Sequence, residues 1–204
     1  HVGYKRYFSP SVSFPKQPSL DITFDTKVLD RANTIEYNDV QLANFSIFEQ
    51  MEEPKAAVVS NEQLAGEFMT LKDAFAEHEE LIRNVTNSLV EVNGILERER
   101  LHFGYRVRDE ICFYMIYNEL SQLMEKEKAF DLQLHQKILP RLSGNSQETE
   151  QILKDLFAFC TRHAWEENQS FDIEKESLFP KSAAKIDGMI RKAEREGFTS
   201  FWNM

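Results

Sequence analysis

The stretch "NEQLAGEFMTLKDAFAEHEELIRNVTNSLVEVNGIL", residues 61–96, decides the fold class. Leu64, Phe68, Leu71, Phe75, Ile82, Val85, Leu89, Val92 and Leu96 recur in it at steps of three, four or seven. That spacing gathers apolar side chains into one stripe along an α-helix. Ser60 with Gln63 fits a capping box at its start. Met69-Thr70-Leu71 is a candidate joint between two helices, and Asn93-Gly94 weakens the far end.

The helical pattern continues in both composition and period. A helix is expected from Val107 to Lys126, and a shorter one over Leu132–Leu139 that stops near "LPRLSG". There Pro140 breaks the pattern and Gly144 suits a C-terminal turn. "SQETEQILKDLFAFCTRHAW" reads as a helix capped by Ser146, with Ile152, Leu153, Leu156, Phe157, Phe159 and Cys160 inward. A last helix should run from Ser182, its cap, to Glu196 and end on Gly197. Phe198, Phe201 and Trp202 then read as an aromatic plug on the helical core, with an intermolecular docking motif as the alternative.

Residues 1–45 differ. Pro10, Pro15 and Pro18, set among aromatic and β-branched residues, indicate short extended pieces and turns. "DTKVLDRAN" fits one short helix with Asp25 or Thr26 as N-cap, and "NTIEYNDVQL" alternates like a strand. The expected fold is therefore mainly α: a helical bundle over 46–204, with a small N-terminal extended or β segment over 1–45.

With 42% hydrophobic residues and 16 Phe, the chain can build a real core. Its 7 Gly, 6 Pro and 28% charged residues suit long helices. A net charge of −10 argues against a direct duplex-DNA binder, which needs a positive footprint. Cys112 and Cys160 read as buried, reduced thiols in a cytoplasmic protein. No apolar run approaches the ~18 residues of a membrane span, so no membrane association is expected. The first residue is His1, which fits a processed or truncated piece of a longer chain.

Most familiar chemistry is missing from the sequence. No glycine precedes a Lys-Ser or Lys-Thr pair, so there is no P-loop, and no apolar strand leads into Asp109-Glu110. His78, His102, His135 and His163 are far apart, and Cys160 with His163 makes only two ligands, so no metal site is expected. No nucleophile stands with a base and an orienter.

One feature asks for an anion. "HFGYRVRDEI", His102–Ile111, delivers Arg106 to the mouth of a helix, where the positive end of the macrodipole disfavours a cation. The bland explanation is a pair with Asp109 or Glu110 one turn away. The ordinary reading of Arg31 is a surface pair with Asp30 or Glu36. Lys137 and Arg141 flank "ILP" near a helix end, where cations complement the negative terminus; the sharper alternative is a surface that docks a partner or faces nucleotide.

"FDTKVLDRANTIEY" resembles the segment after the sensor-1 strand of AAA+ motors, where a short helix ends in Asp-Arg. "FGYRVRDEI" resembles the sensor-2 segment that opens a lid helix in the McrB-like branch, the NTPase subunits of modification-dependent restriction systems. "FDLQLHQKILPRLSG" resembles the next helix and turn of that branch, and "FPKSAAKIDGMIRKAEREGFTSFW" resembles the C-terminal end of some of its members. The likeness covers 24–45 and 95–204; the Walker A and Walker B parts are missing, and no sensor-1 Asn precedes Phe24. The resemblance implies the carboxyl-terminal part of such a motor, the end of its nucleotide-binding core plus the helical lid, inactive alone. It further implies that Arg106, with Tyr105 beside it, meets the terminal phosphate of ATP or GTP with Mg in the complete motor. Arg31 would be a finger reaching a neighbour's nucleotide, and no cofactor is expected on this chain by itself. The implied partners are like subunits in a homo-oligomeric ring, a McrC-like nuclease subunit and, through them, DNA. The alternative is a stand-alone helical protein-interaction module without nucleotide chemistry.

Overall fold

The structure is a computed structural model that describes residues 26–36, 70–168 and 170–202. The expected cap at Ser60, the stripe over 61–69, Lys27's side chain and the proline-rich segment lie outside those residues.

Helix α1 spans Thr26–Leu29 and α2 Leu71–Leu96. The start of α2 is set by Thr70, whose side chain accepts from the Asp73 amide while Asp73 bonds back. A local departure at His78 kinks α2, but Asn93-Gly94 does not end it. Leu81, Val85, Leu89, Val92 and Leu96 form its buried face, as the stripe requires.

Helix α3 covers Tyr105–Ser121, α4 Lys126–Gln133, α5 Gln147–Thr161, α6 Ile173–Glu176 and α7 Pro180–Glu196. The bundle is mainly α, as expected. Helix α5 packs against α7, α2 lies between α3 and α5, and α4 joins α3 to α7. Ile111, Ile116, Leu153, Phe157, Ile186 and Met189 are fully buried between them. Each such side chain contributes about 1.5–3 kcal/mol.

Several boundaries differ from the expectation, each for a local reason. The helix expected to reach Lys126 stops at Ser121. Gln122 turns left-handed, and the buried Asn118 side chain holds Met124 by both its N–H (3.2 Å) and its C=O (2.9 Å). Ser182 is not the cap of α7; the helix starts at Pro180, with Phe179 in the cap position. Its open amides are met from α4, where the Asp131 carboxylate accepts from Lys181 N at 2.8 Å and Ser182 N at 2.9 Å. Ser146 does cap α5, and Gly197, at φ +70°, closes α7.

Gly144 is not a helix-ending turn. It lies in strand β1, Ser143–Gly144, which pairs antiparallel with β2, Thr199–Ser200. A Cβ at Gly144 would stand 2.3 Å from Thr149 Oγ1, so close approach is what requires glycine. This pairing seats the aromatic tail: Phe201 is fully buried, and Trp202 donates Nε1 to the Pro140 carbonyl at 3.2 Å. The plug is intramolecular.

Of the strand expected over residues 33–42, only 33–36 are described, and these are not in a strand; the rest lies outside the described residues. Residues 32–36 do alternate, but with inverted polarity: Ile35 is 62% exposed while Thr34 and Glu36 turn inward. Thr34 meets the Gln136 carbonyl, and Glu36 meets the Lys185 ammonium.

Candidate functional site

The mouth of α3 is built by a clamp. On α2, Asn93 accepts from Phe103 N at 2.8 Å and donates to Phe103 O at 3.2 Å. Phe103 is buried, and Gly104 comes after it as an N-cap without a side chain. The first turn of α3 carries no acidic residue, so its open N–H groups are not answered by a carboxylate from within.

Arg106 is exposed on this turn. Its two local carboxylates are engaged elsewhere: Asp109 by Arg108 at 2.6 Å, and Glu110 by the Lys137 ammonium. Among the described residues Arg106 has no ion-pair partner. Holding a bare cation at a helix N-terminus costs about 0.3–1 kcal/mol. Beside it, exposed Tyr105 lies under Arg108, whose guanidinium carbon is 4.9 Å from the ring centroid. Arg108 is therefore engaged within the chain.

A cleft of about 350 Å³ opens here between α2 and α3, lined among others by Thr86, Val90, Asn93, Gly104, Tyr105 and Arg108. Its volume suits a small ligand. Arg106 is not among its lining residues, so the two candidate contacts, Tyr105 and Arg106, face different ground. The thiol of Cys112, near Thr86 and Arg108, is pushed up by burial and is not a nucleophile.

Arg31, just past α1, is also exposed and has no ion-pair partner among the described residues. Its ordinary partners are drawn inward. Asp30 pairs with Arg141, and Glu36 with Lys185 Nζ at 2.6 Å and His135 Nε2 at 2.9 Å. These cations are buried: side-chain exposure is 2% for Lys137, 3% for Arg141 and 5% for Lys185. Lys137 and Arg141 thus form no open docking surface; they are the interior halves of ion pairs, and Arg141 also serves the helix end by donating Nε to the Lys137 carbonyl. Lys185 is further held 4.2 Å from the Phe201 ring centroid.

The backbone explains why cations gather there. After α4 the chain makes a π turn over Leu134–Ile138 and a 3₁₀ turn over Leu139–Arg141. Pro140 has no N–H to return to the Gln136 carbonyl, and that carbonyl accepts Thr34 N at 3.2 Å instead. The wider turn carries His135 and Lys137 inward, and the 3₁₀ turn after it carries Arg141 inward. Burial lowers the pKa of His135 against the opposing pull of Glu36, and its Nδ1 is buried without a partner. A neutral ring donating Nε2–H to Glu36 satisfies both facts.

Among the described residues no three His, Cys, Asp or Glu gather as a metal site, and no helix is long and apolar enough to cross a membrane. The thiols of Cys112 and Cys160 are both buried, and burial drives that of Cys160 up.

Residues 52–198 match the family model described as a domain of unknown function, DUF8727. The chain belongs to this family. No curated protein and no solved structure matches it. The DUF8727 match contains the α3 mouth with Tyr105 and Arg106 and the buried cations Lys137, Arg141 and Lys185. It excludes Asp30, Arg31 and Glu36, which approach it from outside.

The sequence points to Arg31 and Arg106 but not to Asn93, Asn118, Asp131 or Lys185. Asn93 is legible there only as a weak helix former. Its pairing with a backbone ten residues on leaves no periodic signal.

Proposed function

We propose that this DUF8727 domain is the helical lid, with the adjoining end of the nucleotide-binding core, of a McrB-like AAA+ NTPase. Arg106 meets the terminal phosphate of ATP or GTP bound with Mg, and Tyr105 flanks it. Arg31 reaches the nucleotide of a neighbouring subunit in a homo-oligomeric ring. The ring drives a McrC-like nuclease in the cytoplasm and acts on DNA through that partner. Walker A and Walker B residues, absent from these 204 residues, come from elsewhere in the motor.

One observation carries this reading: the chain engages every carboxylate within one turn of Arg106 with another cation, and leaves that guanidinium bare at the positive end of a 17-residue helix. A permanently charged, planar donor set fits phosphate better than any single local carboxylate. The same is true of Arg31, whose neighbours Asp30 and Glu36 are taken. Losing the phosphate would release the lid, which turns hydrolysis into motion.

The test is reconstitution. The 204-residue chain alone should show no magnesium-dependent ATP or GTP turnover, and turnover should appear when a P-loop-bearing core is supplied. Arg31→Ala subunits should be silent in uniform rings and recover in rings mixed with subunits whose own nucleotide site is disabled. Turnover by the chain alone, or Arg31→Ala rings of full activity, would refute the assignment.

A second reading has one observation behind it. Leu120 and Leu123, at and just past the end of α3, are exposed with Tyr117 nearby, as on a protein-interaction module. On that reading Leu120→Asp abolishes partner binding while Arg106→Ala changes nothing.

A further inference from the structure

The ion pairs beneath residues 30–36 are not independent. Asp30, the residue before Arg31, pairs with Arg141. Arg141 donates Nε to the Lys137 carbonyl at 3.2 Å. The Lys137 ammonium pairs with Glu110, one turn along α3 from Arg106. The guanidinium of Arg141 also lies 5.9 Å from the centroid of Phe103, whose backbone Asn93 clamps just ahead of Gly104. Arg141 therefore touches the residue next to one exposed arginine and the residue that sets the helix mouth of the other.

Burial makes this series stiff. Arg141 and Lys137 are too deeply placed to exchange a carboxylate for water without exposing the core around them, so each holds its partner in one place. The far end of the segment has separate anchors, Thr34 on Gln136 and Glu36 on Lys185 and His135. Cutting the series at Glu110 should thus loosen the α1 end without undocking the whole segment.

We propose that Arg141 is a positioning residue: through Asp30 on one side and Lys137–Glu110 on the other, it fixes where Arg31 stands relative to α3 and Arg106. The two arginines then shift together when either is drawn to an anion. This rests on the proposed function for what the arginines touch, but the linkage belongs to the chain itself.

Hydrogen exchange on the 204-residue protein tests it without nucleotide. The Arg31 and Ala32 amides both bond to the Val28 carbonyl, at 3.0 and 3.1 Å, and report on the end of α1. Glu110→Gln, which alters a residue paired with Lys137 and not with the segment, should speed exchange at both amides by about tenfold. Amides of α5 serve as the control for global stability and should be unchanged. Asp30→Asn should do the same, and the double variant should exchange no faster than either single one, because both cut one series. Glu110→Asp, which keeps the charge, guards against misfolding and should restore most of the protection. Exchange at Arg31 and Ala32 unchanged in Glu110→Gln, acceleration shared equally by α5, or additive effects would each overturn the proposal. Arg106→Ala should leave these amides alone, so failure of the nucleotide assignment would be seen separately, in turnover.

Discussion

Removing the Asp131 carboxylate should damage the helical bundle well beyond the loss of an ordinary polar side chain. Asp131 is 3% exposed and accepts two backbone N–H groups of α7, at 2.8 and 2.9 Å, while its own carbonyl accepts from the Ser182 hydroxyl at 3.1 Å. Helix α7 has no side-chain cap of its own, since Phe179 occupies that position. Loss of an N-cap costs about 0.5–2 kcal/mol. Here one buried donor, Ser182 N, and one part-buried donor, Lys181 N, lose their acceptor together, each at about 1–3 kcal/mol. Asp131→Ala should therefore cost about 2–5 kcal/mol, the upper part of the summed range being trimmed because Lys181 N can turn to water. Asp131→Asn retains one acceptor but turns an NH₂ toward the second donor, and should cost about 2–3 kcal/mol. Urea unfolding read by far-UV circular dichroism measures both, provided the slope with denaturant is unchanged. A loss below about 1 kcal/mol in Asp131→Ala would show that α7 is not capped from α4, and that its docking rests on apolar packing alone.

The same geometry sets three further outcomes. Asn93→Ala should destabilise the fold by about 1–3 kcal/mol and speed exchange in the first turn of α3; unchanged exchange there would remove the clamp. Gly144→Ala should cost about 1–3 kcal/mol through its clash with Thr149, and Thr149→Ala should recover part of that loss when combined with it; additive losses would contradict the close-approach explanation. Because burial lowers the folded pKa of His135 below its ordinary value near 6.5, the unfolded chain binds the proton first as pH falls. The contribution of His135 is then fully present above about pH 6.5 and is lost progressively below it. His135→Gln should flatten the fall in stability below about pH 6.5, and an unaltered slope would show that His135 is not buried neutral.

Whatever repeats within a helix is legible in the sequence. The stripe through Ile82, Val85, Leu89, Val92 and Leu96, the cap at Ser146 with its inward residues, and the stop at Gly197 all depend on near neighbours along the chain. The features that escape it share the opposite property. Asp131 serves amides about fifty residues on, and Glu36 meets Lys185 across 149 residues. No local pattern encodes either contact. The inverted segment is the clearest case. The alternation of Thr34, Ile35 and Glu36 is real, but hydropathy assigns the wrong face inward, because buried cations make the polar face the inner one. Arg106 stands out because a cation at a helix mouth is poorly served by its own surroundings, and such a mismatch is visible in a single line of sequence; Arg31 is singled out only by the family resemblance.

The central claim is that Arg106 is held out for a phosphate. In the reconstituted motor, Arg106→Ala should lower turnover by about a hundredfold or more while nucleotide affinity falls by less than about tenfold. Turnover equal to that of the unaltered ring would contradict the account, whatever else the lid is found to do.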